Sequence, residues 1–180
     1  MSAKFGIILV KPQLGENIGS SARSMKNFGL KKLLVVSPKF KFPNDKTKVT
    51  SVGAIDIIKK AKVFYNIKEA INKFDLIISM SARKRDINKK NISLSELTTL
   101  LKKYKNKNFG FVFGPEASGL SNEDLSFSNY ILKIPTNKKF KSLNLSHSVT
   151  IICYEIFKNL NYELFNGKGK NPKISSKSKI

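Results

Sequence analysis

Six short apolar runs recur along the chain, and they constrain its fold more than any other feature. Each is four to seven residues long, and most are continuous rather than alternating. Continuous runs are typical of parallel strands that are covered by other elements on both faces. The predicted strands are residues 4–10, 31–37, 62–65, 74–80, 108–114 and 130–134.

Helical patterns separate these runs. We predict helices near residues 17–28, 52–60, 67–73, 93–104 and 144–160. The last has the clearest apolar stripe, at Leu145, Val149, Ile152, Ile156 and Leu160. Strands that alternate with helices predict an α/β domain around a mainly parallel sheet. Periodicity alone favours an unknotted, doubly wound arrangement, because knots are very rare.

A length of 180 residues suits one domain with a sizeable core. We assign residues 1–162 to this domain. Residues 163–180 are predicted to be a basic, disordered tail, because 166–180 carries five lysines and no acid. A second lysine-rich stretch, 37–48, is predicted to be an exposed loop after the second strand.

Several kinds of protein are disfavoured by composition. No apolar run approaches the roughly 18 residues of a membrane helix, and the first run has no signal-peptide cleavage site. A single cysteine, Cys153, excludes an internal disulfide, and a single histidine, His147, argues against a zinc site. We therefore expect a cytoplasmic protein with no membrane segment and no metal.

A net charge of +22 predicts a polyanionic partner, most simply nucleic acid. An alternative remains open, since lysine, asparagine, isoleucine and phenylalanine are all abundant. An AT-rich coding sequence would give that composition without selection for binding.

Three loops rich in glycine and serine are the candidate binding segments, and none has the spacing of a phosphate-binding glycine loop. In the first, Asn17 is predicted to cap a helix and Gly29 to end it. Arg23 is one of only three arginines in the chain. Gly19 lies one turn before it and would leave room for a ligand; the alternative is that Arg23 is a surface charge or an ordinary ion pair.

In the second loop, residues 109–125, Gly114 and Gly119 permit close backbone approach and Glu116 is a lone acid. Ser121 and Asp124 have the spacing that starts a short helix. A tight connection between strand and helix explains the same residues equally well.

The third loop opens the last predicted helix. Ser142, Asn144 and Ser146 are candidate helix caps. His147 and Cys153 are interpreted as structural residues rather than as a base or a nucleophile.

Together these segments resemble the three motifs of the SpoU branch of the SPOUT RNA methyltransferases. The matching patterns are N-x-G-x-x-A-R at 17–23, F-G-P-E-x-S-G-L-S at 113–121 and I-P…S-L-N-L-S at 134–146. Within that branch, the first segment is most similar to the TrmJ-type tRNA 2′-O-methyltransferases. The resemblance spans roughly residues 5–160.

The resemblance implies an α/β fold with helices on both faces and a C-terminal deep trefoil knot. It implies a homodimer, in which Arg23 of one subunit faces the cofactor bound largely by the other. It also implies that S-adenosylmethionine lies in the knot, against Gly114, Glu116, Gly119, Ile134, Ser142, Leu143 and Asn144.

The implied reaction is methyl transfer to a ribose 2′-hydroxyl of tRNA, at nucleotide 32 of the anticodon loop. Arg23 would stabilise the developing alkoxide, because a guanidinium is effectively never deprotonated and cannot act as the base. Asn17, Ser142 and Asn144 would orient the reacting groups, and Glu116 or water would accept the proton. The alternatives are ribosomal RNA, another tRNA nucleotide, or an RNA-binding knot protein without catalysis.

Overall fold

The computed structural model describes residues 4–83 and 87–160, and within them seven strands form one parallel sheet. In the order of the sheet these are β3 (Lys62–Phe64), β2 (Lys32–Val36), β1 (Phe5–Val10), β6 (Phe109–Phe113), β4 (Leu76–Met80), β7 (Tyr130–Leu132) and β5 (Lys90–Ile92). Every neighbouring pair is parallel. The predicted α/β class is confirmed. Sequence patterns missed β5, because only one of its three residues is buried.

The described helices are α1 (Gly15–Asn27), α2 (Asp45–Thr50), α3 (Ile55–Lys60), α4 (Ile67–Ile71), α5 (Leu94–Lys103), α6 (Asn122–Ser126) and α7 (Leu145–Leu160). The reciprocal hydrogen bonds of Ser121 and Asp124 start α6 as predicted. The interpretation of 37–48 as a loop is wrong at its end. There the Asn44 side chain accepts a hydrogen bond from the Thr47 amide and starts α2.

Helices cover both faces of the sheet, as predicted. In β1, Ile7 and Leu9 point into one buried cluster with residues of α1, α3, α5 and α7. Ile8 and Val10 alternate onto the other face, where they join a cluster that includes residues of α4 and α6. This alternation follows from the two-residue period of a strand. The predicted tail, residues 163–180, lies outside the described residues.

The parallel sheet gathers the candidate loops at one edge, because all of its strands end on the same side. The segment after β1 leads into α1, and the loop after β6 begins at Gly114. Since β6 lies beside β1, these two segments are neighbours. The segment after β7 returns to the same edge before α7 begins.

Helix α1 begins earlier than predicted. Its N-cap is Leu14, which makes no side-chain capping bond, and Asn17 therefore lies inside the first turn instead of capping the helix. The predicted end is confirmed: Gly29 has a φ of +75°, the left-handed conformation that ends many helices.

Small residues on α1 allow α2 to pack closely against it. A Cβ atom added at Gly19 would collide with the Thr47 carbonyl oxygen and the Thr50 hydroxyl of α2. The Thr50 hydroxyl also donates to the Glu16 carbonyl, at 3.2 Å. The expectation that Gly19 leaves room for a ligand is therefore wrong, because α2 fills that space.

We expect Gly19→Ala to destabilise the protein. Helix propensity alone would make this change stabilising by about 0.5–1 kcal/mol. The collision with the α2 backbone should instead cost about 1–3 kcal/mol, as overpacking does. Thermal unfolding measures the sign, with Ser20→Ala in the same helix as the control that should be near neutral. A melting temperature above that of the wild type would contradict the packing argument.

Candidate active site

A cleft of about 470 Å³ opens at the C-terminal edge of the sheet. Its walls are the segments that follow β4, β6 and β7, together with the start of α7. The lining residues are 80–83, 113–120, 132–134, 136, 141–143, 145 and 148. The predicted second and third loops therefore lie together, although strand β7 separates them in the chain.

Most of the predicted cofactor residues line this cleft, namely Gly114, Glu116, Gly119, Ile134, Ser142 and Leu143. Asn144 follows them directly in the chain but is not a lining residue. Asn17 and Arg23, both on α1, do not line it either.

The loop after β6 folds tightly back on itself. A Cβ atom at Gly114 would collide with the backbone of Gly119 and Leu120. Gly119 has a φ of +66°, and its amide donates to the Pro115 carbonyl at 2.8 Å. Both glycines are thus required by the loop itself, whatever ligand the loop contacts.

The Glu116 carboxylate ties this loop to the start of α1. It accepts hydrogen bonds from the backbone amides of Gln13, at 2.9 Å, and Leu14, at 3.3 Å. It also accepts one from the Asn17 side-chain amide, at 2.8 Å. Hydrogen bonds to a carboxylate are stronger than neutral ones, and negative charge is favourable at a helix N-terminus.

Asn17 extends the same hydrogen-bond chain to α7. Its side-chain oxygen accepts from the Asn144 amide at 3.0 Å. The Asn144 side-chain oxygen in turn accepts from the backbone amide of Ser146 at 2.8 Å, so Asn144 caps α7. Three segments that are far apart in sequence are thus joined through Glu116, Asn17 and Asn144.

Gln13 is a site residue that sequence reasoning missed. Besides its backbone contact with Glu116, its side-chain oxygen accepts from the Ala117 amide at 3.0 Å. The available signal was its position: a polar residue three places after a buried strand, at the edge where open α/β sheets bind ligands.

The wall formed by residues 80–83 was also missed as part of the cleft. It includes Ser81 and Arg83. These residues follow β4, which lies between β6 and β7 in the sheet. Sequence patterns located the strand but could not give its neighbours.

Arg23 is exposed on the second turn of α1. Within residues 4–83 and 87–160 its side chain makes no hydrogen bond or ion pair. The adjacent Ser24 shares a 2.6 Å hydrogen bond with Thr150 of α7. Helix α1 is therefore bonded to both α2 and α7, while the Arg23 side chain is exposed.

The other reactive residues play structural or peripheral parts. Cys153 is buried in the core, and burial raises the pKa of its thiol to about 12, so it is no nucleophile near neutral pH. His147 is exposed and does not line the cleft. Among the described residues no group of histidines, cysteines or acids is placed to hold a metal ion. No described helix is long and apolar enough to cross a membrane.

Comparison with known proteins gives consistent results. The sequence profile of the SpoU rRNA Methylase family matches residues 4–154. The tRNA (cytidine-2'-O-)-methyltransferase TrmJ of Methanocaldococcus jannaschii is 38% identical, over 87% of this chain and 69% of that protein. The tRNA (cytidine/uridine/adenosine-2'-O-)-methyltransferase TrmJ of Pseudomonas aeruginosa is 34% identical, over 87% of this chain and 61% of that protein. The chain thus spans less than two thirds of the Pseudomonas relative.

Solved structures share the fold. The crystal structure of TrmJ from Z. mobilis ZM4 superimposes with a TM-score of 0.83 at 35% identity, covering 88% of this chain and 71% of that one. The SpoU methyltransferase AviRb from Streptomyces viridochromogenes, solved with AdoMet, has a TM-score of 0.70 at 19% identity, over 89% of this chain and 59% of that one. From the profile match and the identity to these relatives, the chain belongs to the SpoU rRNA methylase family.

Proposed function

We propose that the protein transfers a methyl group from S-adenosylmethionine to a ribose 2′-hydroxyl of tRNA, at nucleotide 32 of the anticodon loop. One observation carries this proposal: the three family motifs meet at the C-terminal edge, where hydrogen bonds from Glu116 through Asn17 to Asn144 join them. The relatives named as tRNA methyltransferases support tRNA as the substrate.

The cleft fits this cofactor in size and chemistry. Its volume lies in the range of small-molecule sites. Backbone groups of residues 114–119 face apolar side chains such as Ile134 and Leu143, a combination that suits a flat nucleoside with polar edges. Gly114, Glu116, Gly119, Ser142 and Asn144 complete the proposed site. The cofactor, when bound, supplies a methyl group carried on a sulfonium.

We also propose the deep trefoil knot of the SPOUT fold. Strand β7 lies between β4 and β5, although both precede it in the chain. Helix α7 then packs against α1 and α5. Such a knot requires a C-terminal segment that lies between elements from earlier in the chain.

Arg23 is proposed to act on the reacting ribose. Methyl transfer is an in-line displacement, so the protein contributes mainly by positioning the two reactants. A guanidinium can stabilise negative charge on the 2′-oxygen and hold a neighbouring phosphate through two parallel hydrogen bonds. A lysine ammonium lacks that planar geometry.

Glu116 is proposed to position the cofactor loop rather than to accept the proton. Its carboxylate already receives three hydrogen bonds from the start of α1. Water is then the proton acceptor. Asn17 and Asn144 would fix the start of α7 relative to α1. Ser142 would contact the ribose.

A homodimer would complete the site. Arg23 does not line the cleft of its own chain, and it is exposed. In the proposed dimer, α1 of one subunit places Arg23 at the cleft of its partner. A two-fold interface would form two equivalent sites.

Ribosomal RNA is the second candidate substrate, because the matching family is described by rRNA methylation. Another tRNA nucleotide would involve the same chemistry.

We further propose that residues 163–180 add phosphate contacts outside the folded domain 1–162. The reaction is assigned to the cytoplasm, whose reducing conditions suit a single unpaired thiol.

The first test is transfer of labelled methyl groups from S-adenosylmethionine into total RNA, followed by mapping of the modified nucleotide. We expect label in tRNA, at a 2′-hydroxyl of nucleotide 32. Label in ribosomal RNA would favour the second candidate. RNA binding without any incorporation would leave only a non-catalytic binding protein.

Arg23 can be tested by two substitutions. Arg23→Ala should slow single-turnover methylation by about two to three orders of magnitude, as loss of a charge-stabilising donor does. Arg23→Lys should be almost as slow, because it keeps the charge and loses the planar fork. Cofactor affinity and melting temperature should change little in both. Near-normal turnover of Arg23→Lys would show that the fork geometry is not used.

The shared site can be tested by complementation between two inactive variants. Gly114→Leu should disrupt the loop that lines the cleft, because its side chain would collide with the backbone of Gly119 and Leu120, and Arg23→Ala should remove the catalytic donor. When both chains are co-expressed, mixed dimers contain one intact cleft that faces an intact Arg23. Activity should return to about a quarter of the wild-type level, the share expected for random pairing of a two-fold dimer. Each variant alone is the control, and no recovery in the mixture would place Arg23 and the cleft in the same subunit.

A further inference from the structure

A second cavity, of about 780 Å³, lies at the N-terminal edge of the sheet, opposite the active-site cleft. It is bounded by the starts of β1 and β2 and by the C-terminal ends of α1, α5 and α7. Five lysines line it: Lys4, Lys31, Lys32, Lys102 and Lys105. We call this cavity the basic groove.

Three of the five lysines lack a carboxylate partner within the part of the chain that the structure describes. Lys4, Lys31 and Lys105 are exposed, and they form no ion pair within the described ranges 4–83 and 87–160. Lysines elsewhere on the surface do find carboxylates, for example Lys26 with Asp56 at 2.7 Å. Among the described residues, no carboxylate forms an ion pair with these three lysines of the groove.

Folding stability accounts for only part of this concentration of charge. Lys102 lies in the last turn of α5, where the helix dipole favours a cation. Lys4 precedes a strand and has no such reason. Lys32 lies over the Phe74 ring at 4.1 Å, and its pKa is lowered by burial and then by repulsion from Lys73, Lys4 and Lys62. The contact with the Phe74 ring favours folding, whereas the repulsion from the other lysines opposes it.

The floor of the groove is apolar and partly aromatic. Phe5 and Phe28 are half-buried there, beside Leu30 and Leu101. Bases of a nucleic-acid strand stack on aromatic rings of this kind while lysines contact the phosphates. The groove is concave, which suits a strand that lies in it better than a flat bilayer surface.

The basic groove cannot contact a nucleotide that is bound in the cleft of its own chain. Strands of five or six residues, at about 3.3 Å per residue, separate the two edges of the sheet by roughly 16–20 Å. One nucleotide is too short to reach both. A ligand of the groove must therefore be a different part of the RNA or a different molecule.

We propose that the basic groove is a second RNA-binding surface. It binds the sugar–phosphate backbone of a part of the RNA that is distant from the reacting nucleotide. The choice of RNA as the polyanion rests on the proposed function. The groove contributes affinity, and the chemistry stays at the opposite edge.

The test compares two triple variants that remove the same number of charges. The groove variant is Lys4→Gln, Lys31→Gln and Lys105→Gln. The control is Lys68→Gln, Lys89→Gln and Lys90→Gln, which lie outside the groove and the cleft. Binding to an unmodified tRNA transcript is measured without S-adenosylmethionine over a range of salt concentrations, and melting temperatures confirm that both variants fold.

The groove variant should bind RNA more weakly than the control. Its slope of log affinity against log salt should be smaller in magnitude than that of the wild type by about two. Each lost phosphate contact removes about 0.7 from the slope for a single strand, and this variant loses three lysines. Its single-turnover methylation rate at saturating RNA should equal that of the wild type. Binding is measured separately from methylation. A wild-type protein that methylates no RNA would therefore refute the proposed function, while the binding data would still test the basic groove.

Equal affinities and equal salt slopes for the two triple variants would overturn the proposal. Binding to phosphatidylglycerol vesicles is measured in parallel. If only the groove variant loses vesicle binding while its RNA binding matches the control, the groove is a membrane contact and the assignment to RNA is wrong.

Discussion

The carboxylate of Glu116 is the contact on which the candidate active site depends. It closes a gap between two loops that follow neighbouring strands, and its three donors all come from the start of α1. Removing it would leave the buried Asn17 side-chain amide without this acceptor, and an unsatisfied buried donor costs about 1–3 kcal/mol. Through Asn17 and Asn144 the same chain of bonds fixes the start of α7. The cleft therefore has a rigid wall before any ligand binds.

Helix α1 is held on several sides, and this gives Arg23 its significance. Gly15 and Gly19 lie against α2, and Ile18 and Met25 are fully buried in the core. Arg23 is left exposed on a helix that cannot easily move. A fixed backbone that presents an exposed guanidinium suits a residue whose partner is another molecule, because the backbone then loses no further conformational entropy when the contact forms.

The direction of the chain separates two kinds of surface. All strands run the same way, so the loops that form the cleft gather at one edge. The helices return in the opposite direction and bring their last turns, with Lys26, Lys59 and Lys102 among them, to the other edge. Stabilising the helix dipoles already places cations there. The exposed lysines before the strands, Lys4 and Lys31, add to this field at the basic groove.

The sequence by itself determined the six apolar strands, the long helix α7, the start of α6 at Ser121 and the motif residues of the three loops. These features depend on local periodicity and on capping chemistry, which a short segment contains entirely. Tertiary structure alone decided that α2 fills the space beside Gly19, that Asn17 links two loops instead of capping a helix, and that the segment after β4 lines the cleft. It also decided that Lys4, Lys31 and Lys105 share one groove. Such contacts join residues as many as 127 positions apart, as Asn17 and Asn144 are. Only the order of the strands in the sheet brings those residues together.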